Sequence, residues 1–231
     1  MRSHLLALLT ALVLAAPASA ATRNFGINSF ERIRVDGPYK VRLTTGVAPF
    51  ASASGSVSAI DRVAMQVQGS TLVIHVDRSS WGGYPGEGSG PVEINVGTHD
   101  LKGAWLNGSG SLSISSVEGL TFDLSAQGSG SVAIDQADVD HLRINLSGTA
   151  SGAVSGKAGK LTAIVRGISS LDASGLTSKD ATIGAQGPAT VKAIVTNAVT
   201  IDASGAATIA LAGNPACTAR LSGSASVSGC R

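Results

Sequence analysis

The chain has 231 residues, with 17 Lys and Arg against 15 Asp and Glu, a balance that gives no electrostatic reason to expect nucleic acid or anionic lipid as a partner. Glycine is abundant, at 29 residues, whereas aromatic residues make up only 3% of the chain. The ample Val, Ile and Leu exclude a disordered chain, and the scarcity of bulky side chains excludes a wide core. A fold with a narrow core satisfies both conditions.

The first segment, residues 1–20, has the pattern of a secretory signal peptide. Arg2 supplies the positive start, a short apolar run follows, and Ala18-Ser19-Ala20 provides the small residues that a signal peptidase requires. A transmembrane helix is the alternative, but the run is too short to cross a bilayer comfortably. We therefore expect a mature chain that begins at Ala21, is not inserted into a membrane, and is exported to the periplasm, cell surface or exterior of a bacterium.

Residues 21–100 carry a weak and interrupted strand pattern. Apolar residues alternate with polar ones on both sides of Gly37 and of Gly69, and again between Val92 and Val96. An alternation with period two is typical of strands that have one buried side. We interpret this part as irregular N-terminal coils of the same domain, interrupted by longer loops.

One of these loops, residues 81–91, is rich in glycine and contains Trp81 and Tyr84. Exposed aromatic rings stack on sugars or anchor a protein partner, so these two residues are candidate ligand-binding or partner-binding residues. The alternative is that both rings fold back and cover an open end of the fold. Trp105 also has two interpretations: an outward ring on a flat face or, the one we favour, a residue packed beneath this loop.

From residue 101 onward, the chain repeats about every 20 residues. Seven glycines mark the repeat: Gly108, Gly128, Gly148, Gly167, Gly187, Gly205 and Gly223. Apolar residues stand two and four places before each glycine and, in most repeats, four and six places after it. Each repeat thus predicts two short inward-facing strands joined by a bend, where glycine fits because it takes positive φ without a Cβ clash.

Strands this short are stable only when the equivalent strands of successive repeats pair with one another. The sequence therefore predicts an all-β, single-domain, right-handed parallel β-solenoid with about 20 residues per coil, with irregular coils at 21–100 and regular coils at 101–231. Equivalent residues then form ladders along the stack. Asp123 is predicted to face Arg143 in the next coil, and one outward ladder consists of Thr162, Thr182, Thr200 and Thr218.

Both cysteines of the chain, Cys217 and Cys230, lie near its C-terminus. In an exported protein, two cysteines so placed predict an intrachain disulfide, which would close the end of the chain. A metal site is the alternative, but no histidine or second cysteine pair lies nearby to complete four ligands. We predict no metal site and no cofactor.

Several segments resemble a known family of bacterial exported proteins, the putative auto-transporter adhesin, head GIN domain family. The resemblance rests on residues 30–43, on residues 67–74, and on recurring corners such as Leu106-Asn107-Gly108-Ser109-Gly110. It implies a fold similar to a parallel β-helix and carries over no catalytic residues. The chain departs from the pattern where the Gly-Ser-Gly corner weakens, at 148–150, 187–189 and 205–207.

The sequence contains no catalytic constellation that we can assign. His75, His99 and His141 lie on three different segments, and His75 is predicted to be a solvated outward residue of a strand. Nucleophile elbows, zinc-protease motifs and phosphate-binding loops are missing. We therefore predict no catalytic residues and no enzymatic activity.

Our leading hypothesis from the sequence is a non-enzymatic exported module, adhesin-like, which presents a long, flat, Ser/Thr-rich surface for binding or scaffolding. The alternative is a carbohydrate-active β-helix protein that binds or cleaves polysaccharide. The partner is unknown; a cell-envelope protein, a glycan and a second copy of the chain are all compatible with the sequence.

Overall fold

The fold was analysed in a computed structural model, which describes residues 21–77 and 90–231. The structure is all-β, with 73% strand and 2% helix, and forms a β-solenoid of about 6 turns with roughly 20 residues per turn. This confirms the predicted fold class. In the described residues, no helix has the length and apolar character needed to span a membrane.

The strands and the one short helix of the described residues follow in chain order. They are β1 (Ala21–Phe25), β2 (Arg32–Asp36), β3 (Lys40–Thr44), β4 (Phe50–Gly55), α1 (Val57–Ile60), β5 (Val63–Gln68), β6 (Thr71–Val76), β7 (Glu93–Gly97), β8 (Gly103–Gly108), β9 (Ser111–Gly128), β10 (Ser131–Gly148), β11 (Ser151–Arg166), β12 (Ser170–Gln186), β13 (Thr190–Gly205), β14 (Thr208–Ala212), β15 (Ala216–Gly223) and β16 (Ser226–Ser228).

Strands β9 to β13 are 16 to 18 residues long, and each wraps most of one coil. Every one of them pairs in parallel with the strand of the next coil, and the equivalent glycines Gly108, Gly128 and Gly148 lie side by side. Breaks in register, such as the one between Ile134 and Ala137, mark the bends within a coil. A repeat too short to fold alone is therefore stabilised by its two neighbours.

The core consists of the apolar positions that the repeat predicts. In the coil of β9, for example, Leu112, Ile114, Phe122 and Leu124 are buried. The same positions are buried in every coil except the last, where Leu221 is 48% exposed. Leu221 is exposed because no further coil follows the last one and covers the end of the core.

The predicted corner glycines all have positive φ, between 73° and 113°. Their carbonyl groups also join successive corners: the amides of Ser129 and Thr149 donate to the carbonyl oxygens of Gly108 and Gly128, at 3.0 and 2.8 Å. A Cβ atom at Gly128 would lie only 2.6 Å from the carbonyl oxygen of Gly108. The corner therefore requires glycine for its backbone conformation and also for the close approach of neighbouring coils.

The N-terminal strands depart from the expected order of coils. β2 lies between β6 and β8, and β3 lies between β7 and β9. The chain therefore adds β6 and β7 on one side of the coil formed by β2 and β3, and then adds β8 and β9 on its other side. β4 is antiparallel to β1 and β7. The sequence predicted irregular coils in this region but not this order of strands, because a period-two pattern does not distinguish parallel from antiparallel pairing.

The segment around Gly69, which we interpreted as a weak coil corner, is the turn of an antiparallel hairpin between β5 and β6. Gly69 has a φ of 62°, and nothing lies within 4 Å of the position that a Cβ would take. Met65 and Val67, predicted to be inward residues, are only partly buried. The alternating pattern did indicate two strands, but β5 pairs with β6, the next strand in the sequence, and not with an equivalent strand of another coil.

The C-terminal coil carries the predicted disulfide between Cys217 and Cys230. Cys217 lies in β15, two residues from Ala219 on the inward row, and Cys230 follows β16. The bond therefore ties together the two strands that form the last coil. It restrains the part of the solenoid that has a neighbour on only one side.

Candidate functional site

Trp81 and Tyr84, the binding residues suggested by the sequence, lie outside the described residues, as does the predicted signal peptide. The candidate site described below is therefore built from other residues. The solenoid offers two broad outer surfaces, one on the strand segments after each corner glycine and one on the segments before it.

The serine surface comprises the outward residues that follow the corners. Register places its first row in one line along successive coils: Ser111, Ser131, Ser151, Ser170, Thr190, Thr208 and Ser226. Asp172 also lies on this surface, where the hydroxyl and amide of Ser174 donate to its carboxylate at 2.5 and 3.0 Å. Those two hydrogen bonds lower the pKa of Asp172 below its ordinary value. The surface consists mainly of small, uncharged side chains, which line a shallow open depression of about 380 Å³.

The tryptophan surface comprises the outward residues that precede the corners. Its central row runs through Trp105, Ser125, Asn145, Ile164, Gly184, Asp202 and Arg220. The predicted threonine ladder lies beside this row, with Thr162, Thr182, Thr200 and Thr218 in register. The central row therefore has the Trp105 ring at its N-terminal end and the charged residues Asp202 and Arg220 at its C-terminal end, whereas the neighbouring ladder carries small hydroxyl groups.

Trp105 is half-buried and lies on the outward side of β8, and its ring extends over Gly103 of the same strand. A Cβ atom at Gly103 would lie 2.8 Å from the far end of the indole ring. Gly103 pairs with the outward residue Asp123, yet it is buried, because the ring covers it. The missing side chain at Gly103 thus leaves room for the far end of the ring against the sheet. The ring lies on the outward side of β8, and most of the 81–91 loop beneath which we predicted it to pack lies outside the described residues.

A hydrogen-bonded group of polar side chains lies beside the ring. Arg34 pairs with Trp105 in the register of β2 and β8, and its guanidinium lies 2.9 Å from the carboxylate of Asp36. The amide of Asn107 donates to the same carboxylate at 2.6 Å. These contacts fix the three planar groups, which reduces the entropy that a ligand must remove when it binds to them.

Other charges close to Trp105 are mostly matched by a partner. Arg143 lies 3.5 Å from Asp123, as predicted, and Lys102 lies 2.8 Å from Glu31. All four side chains are about half exposed, so each pair contributes under about 1 kcal/mol to stability. Arg32 is the further cation on this part of the surface. The two ion pairs and Arg32 together give a polar surface with little excess charge.

At the corner beside Asn107, the surface falls into an open depression of about 710 Å³. Asp36, His75 and Asn107 contribute to its lining. His75 pairs with Asp36 and is half-buried, and its Nδ1 atom is buried without a hydrogen-bond partner in the structure. His75 therefore lies on the outward side of β6, between buried Ile74 and exposed Val76, and is only partly exposed.

Three features together define a candidate binding site: the flat ring of Trp105, the polar group of Arg34, Asp36 and Asn107, and the depression. In the described part of the chain, no group of three or more His, Cys, Asp or Glu residues could hold a metal ion. The sequence could have indicated the site, since Trp105 is a bulky ring on the outward side of its strand, two residues after a glycine on the same side. Its neighbours Arg34 and Asp36 could not be placed, because strand order determines them.

Comparison with known proteins identifies one family. The family described as "Putative auto-transporter adhesin, head GIN domain" matches residues 29–215. The match includes Arg34, Asp36 and Trp105. Among curated proteins, none matches the chain at a significant level.

Several solved structures have a similar fold. A putative adhesin from Bacteroides fragilis superposes with a TM-score of 0.80 at 19% identity, over 90% of this chain and 95% of the other. A putative lipid binding protein from Parabacteroides distasonis gives 0.70 at 20% identity, over 91% and 96%. A putative adhesin from Parabacteroides merdae gives 0.69 at 15% identity, over 91% and 96%. Similarity at these identities shows a shared fold.

Proposed function

The chain belongs to the head GIN domain family, and from this premise we propose that it is an exported, non-enzymatic binding or scaffolding module, adhesin-like, which acts in the periplasm or at the cell surface. The observation that carries the proposal is the construction of the coils. Almost all apolar groups are used in a narrow core, and the outer rows form long, flat, rigid surfaces of hydroxyl and amide groups. Surfaces of this kind present many weak contacts in a fixed array.

Two further observations support export and binding. The disulfide between Cys217 and Cys230 is the kind of bond that persists in oxidising compartments outside the cytoplasm. Two of the three similar structures bear the name adhesin, and the third is named for lipid binding. All of these names describe recognition.

The proposal is tested with purified mature protein, residues 21–231. We expect it to bind bacterial envelope preparations or insoluble polysaccharide in a pull-down, and to leave the polysaccharide uncleaved when the soluble fraction is analysed by chromatography. Protein unfolded by heat and reduction serves as the control and should lose the binding. Absence of binding to every preparation would contradict the proposal, and release of oligosaccharides would favour a polysaccharide-cleaving enzyme.

The loop residues Trp81 and Tyr84 remain a second proposed contact. If they anchor the partner, the double variant Trp81→Ala/Tyr84→Ala should retain less envelope material than the wild type at equal stability. Equal retention by the variant and the wild type would remove the loop from the binding surface and leave the solenoid faces.

A further inference from the structure

The tryptophan surface contains one place where an apolar plane meets a cluster of fixed polar groups. The far end of the Trp105 indole ring covers Gly103, and Arg34, Asp36 and Asn107 are held together beside it. We propose that this place is a saccharide-binding site for a neutral glucan chain whose sugars have equatorial hydroxyl groups. The inference rests on the proposed function, since it names the ligand class of an adhesin-like surface.

The composition of the surface around the ring selects this class of ligand. A protein or lipid partner would require further apolar side chains beside Trp105. Of the large, well-exposed apolar residues of the described part, Val76 lines the depression and is a single small aliphatic group. The others lie away from the ring: Phe50, Val57, Leu120, Ile168 and Leu221. By contrast, Ser125 and Asn107 flank the ring on the same surface. The site thus combines one apolar ring with polar side chains around it. A pyranose with equatorial hydroxyl groups matches this combination, since it has apolar C–H faces and a polar rim.

The charges around the ring favour a neutral polymer over an anionic one. Arg34, Lys102 and Arg143 each have a carboxylate partner within 3.5 Å. A polyanion would have to compete with those carboxylates, and little positive potential extends into solvent to attract it. Arg32 adds one further positive charge. Hydrogen bonding therefore has a larger role than net charge at this site.

The geometry also provides directional hydrogen bonds. The amide of Asn107 and the guanidinium of Arg34 both contact Asp36, which leaves the remaining donors and acceptors of these planar groups in fixed directions. Planar groups of this kind pair with the vicinal hydroxyls of a sugar that is stacked on the ring. Successive strands lie about 4.8 Å apart, a spacing similar to the rise per sugar of a β-1,4-linked chain. A glucan that runs along the solenoid can therefore place neighbouring sugars over neighbouring coils.

The test uses cellohexaose and laminarihexaose as probes, with the indole NMR signal of Trp105 observed in a Trp81→Phe background. We expect a saturable shift of that signal in the otherwise wild-type chain. Trp105→Ala should weaken binding, measured by calorimetry, about tenfold or more, the loss expected when a stacking ring is removed. Gly103→Val provides an independent test, because its new side chain displaces the ring without removing it, and binding should weaken similarly.

The matched control is Thr190→Ala, which truncates an exposed residue of the serine surface, outside the proposed path of the glucan, and should bind as the wild type does. Binding should also be insensitive to salt, since exposed ionic contacts are screened and hydrogen bonds and stacking are not. Circular dichroism and thermal melting confirm that each variant is folded. If Trp105→Ala does not fold, Trp105→Phe and Gly103→Val are compared in its place.

Three outcomes would overturn the inference. The first is no binding of either oligosaccharide by the wild type. The second is unchanged affinity in both Trp105→Ala and Gly103→Val. The third is binding of dextran sulfate, but not of the neutral probes, with an affinity that falls as salt is raised. If envelope preparations still bind in any of these cases, the adhesin-like proposal stands and only this site is lost.

Discussion

The regular coils and the N-terminal strands of this solenoid are built by different rules. From β9 onward, one strand follows another in chain order and every pair is parallel. Before β9, strands pair in both directions and out of chain order. All aromatic residues except Phe122 also lie before Ser111. The regular coils are therefore built mostly from small residues, and the irregular part carries most of the aromatic groups, including Trp105 of the proposed site.

The largest expected effect distinguishes a stacked corner from a hairpin turn. Gly128→Ala forces an alanine into positive φ and against the carbonyl of Gly108, at 2.6 Å, and should cost about 3 kcal/mol or more of unfolding free energy. Gly69→Ala meets nothing within 4 Å and should cost only about 1 kcal/mol. Urea denaturation of the two variants checks this contrast. Equal losses would mean that the close stacking of corners does not stabilise the regular coils.

The second effect concerns the last coil. Replacing both Cys217 and Cys230 with serine should lower stability by roughly 2 to 4 kcal/mol, because the unfolded chain is no longer restrained. Hydrogen exchange should increase most in β15 and β16, which pair only with earlier coils. The N-terminal strands should exchange as in the wild type. An increase spread equally over both regions would contradict a local role for the bond.

A smaller effect is expected for the ion pair between Asp123 and Arg143. Both side chains are about half exposed, so a double-mutant cycle with Asp123→Ala and Arg143→Ala should give a coupling energy under about 1 kcal/mol. The coupling should decrease in high salt. A coupling above about 2 kcal/mol would show that these two adjacent regular coils are held together by charge as well as by strand pairing.

The smallest effect is a pH dependence in the N-terminal region. Lys40 donates to Glu93 at 2.6 Å, and this hydrogen bond and charge hold the pKa of Glu93 below its ordinary value of 4.5. The lowered pKa means that the stabilisation is complete above pH 4.5 and is lost as pH falls through the folded-state pKa. Thermal melts from pH 6 to pH 3 should therefore fall less steeply for Glu93→Gln than for the wild type. Identical slopes would remove this pair as a source of acid sensitivity.

Most of the regular part could be predicted from the sequence, since a repeat determines its own partners. Once Gly108 and Gly128 are recognised as equivalent, every inward residue between them follows. The N-terminal path could not be predicted in the same way, because the pattern around Gly69 fits a hairpin as well as a coil corner. The candidate site depends on that path: Arg34 and Trp105 are distant in sequence and meet only because β2 pairs with β8.

The exposed residues of the last coil show another limit of the repeat. Leu221 occupies an inward position in the pattern, yet it is 48% exposed, because burial depends on the coil that follows. A pattern identifies which side of a strand faces the core, but it does not say whether the core continues past that strand. Predictions from repeats are therefore reliable in the middle of a solenoid and weaker at its ends.

The most direct test of the division between scaffold and binding region is photo-crosslinking. A cellohexaose that carries a diazirine group is irradiated with the protein, and the adducts are located by mass spectrometry. We predict adducts on peptides that contain residues 32–36, 103–107 and 123–127, and their loss when unlabelled cellohexaose is in excess. Adducts confined to the serine surface of β11 to β14, or spread evenly along the coils, would contradict the account.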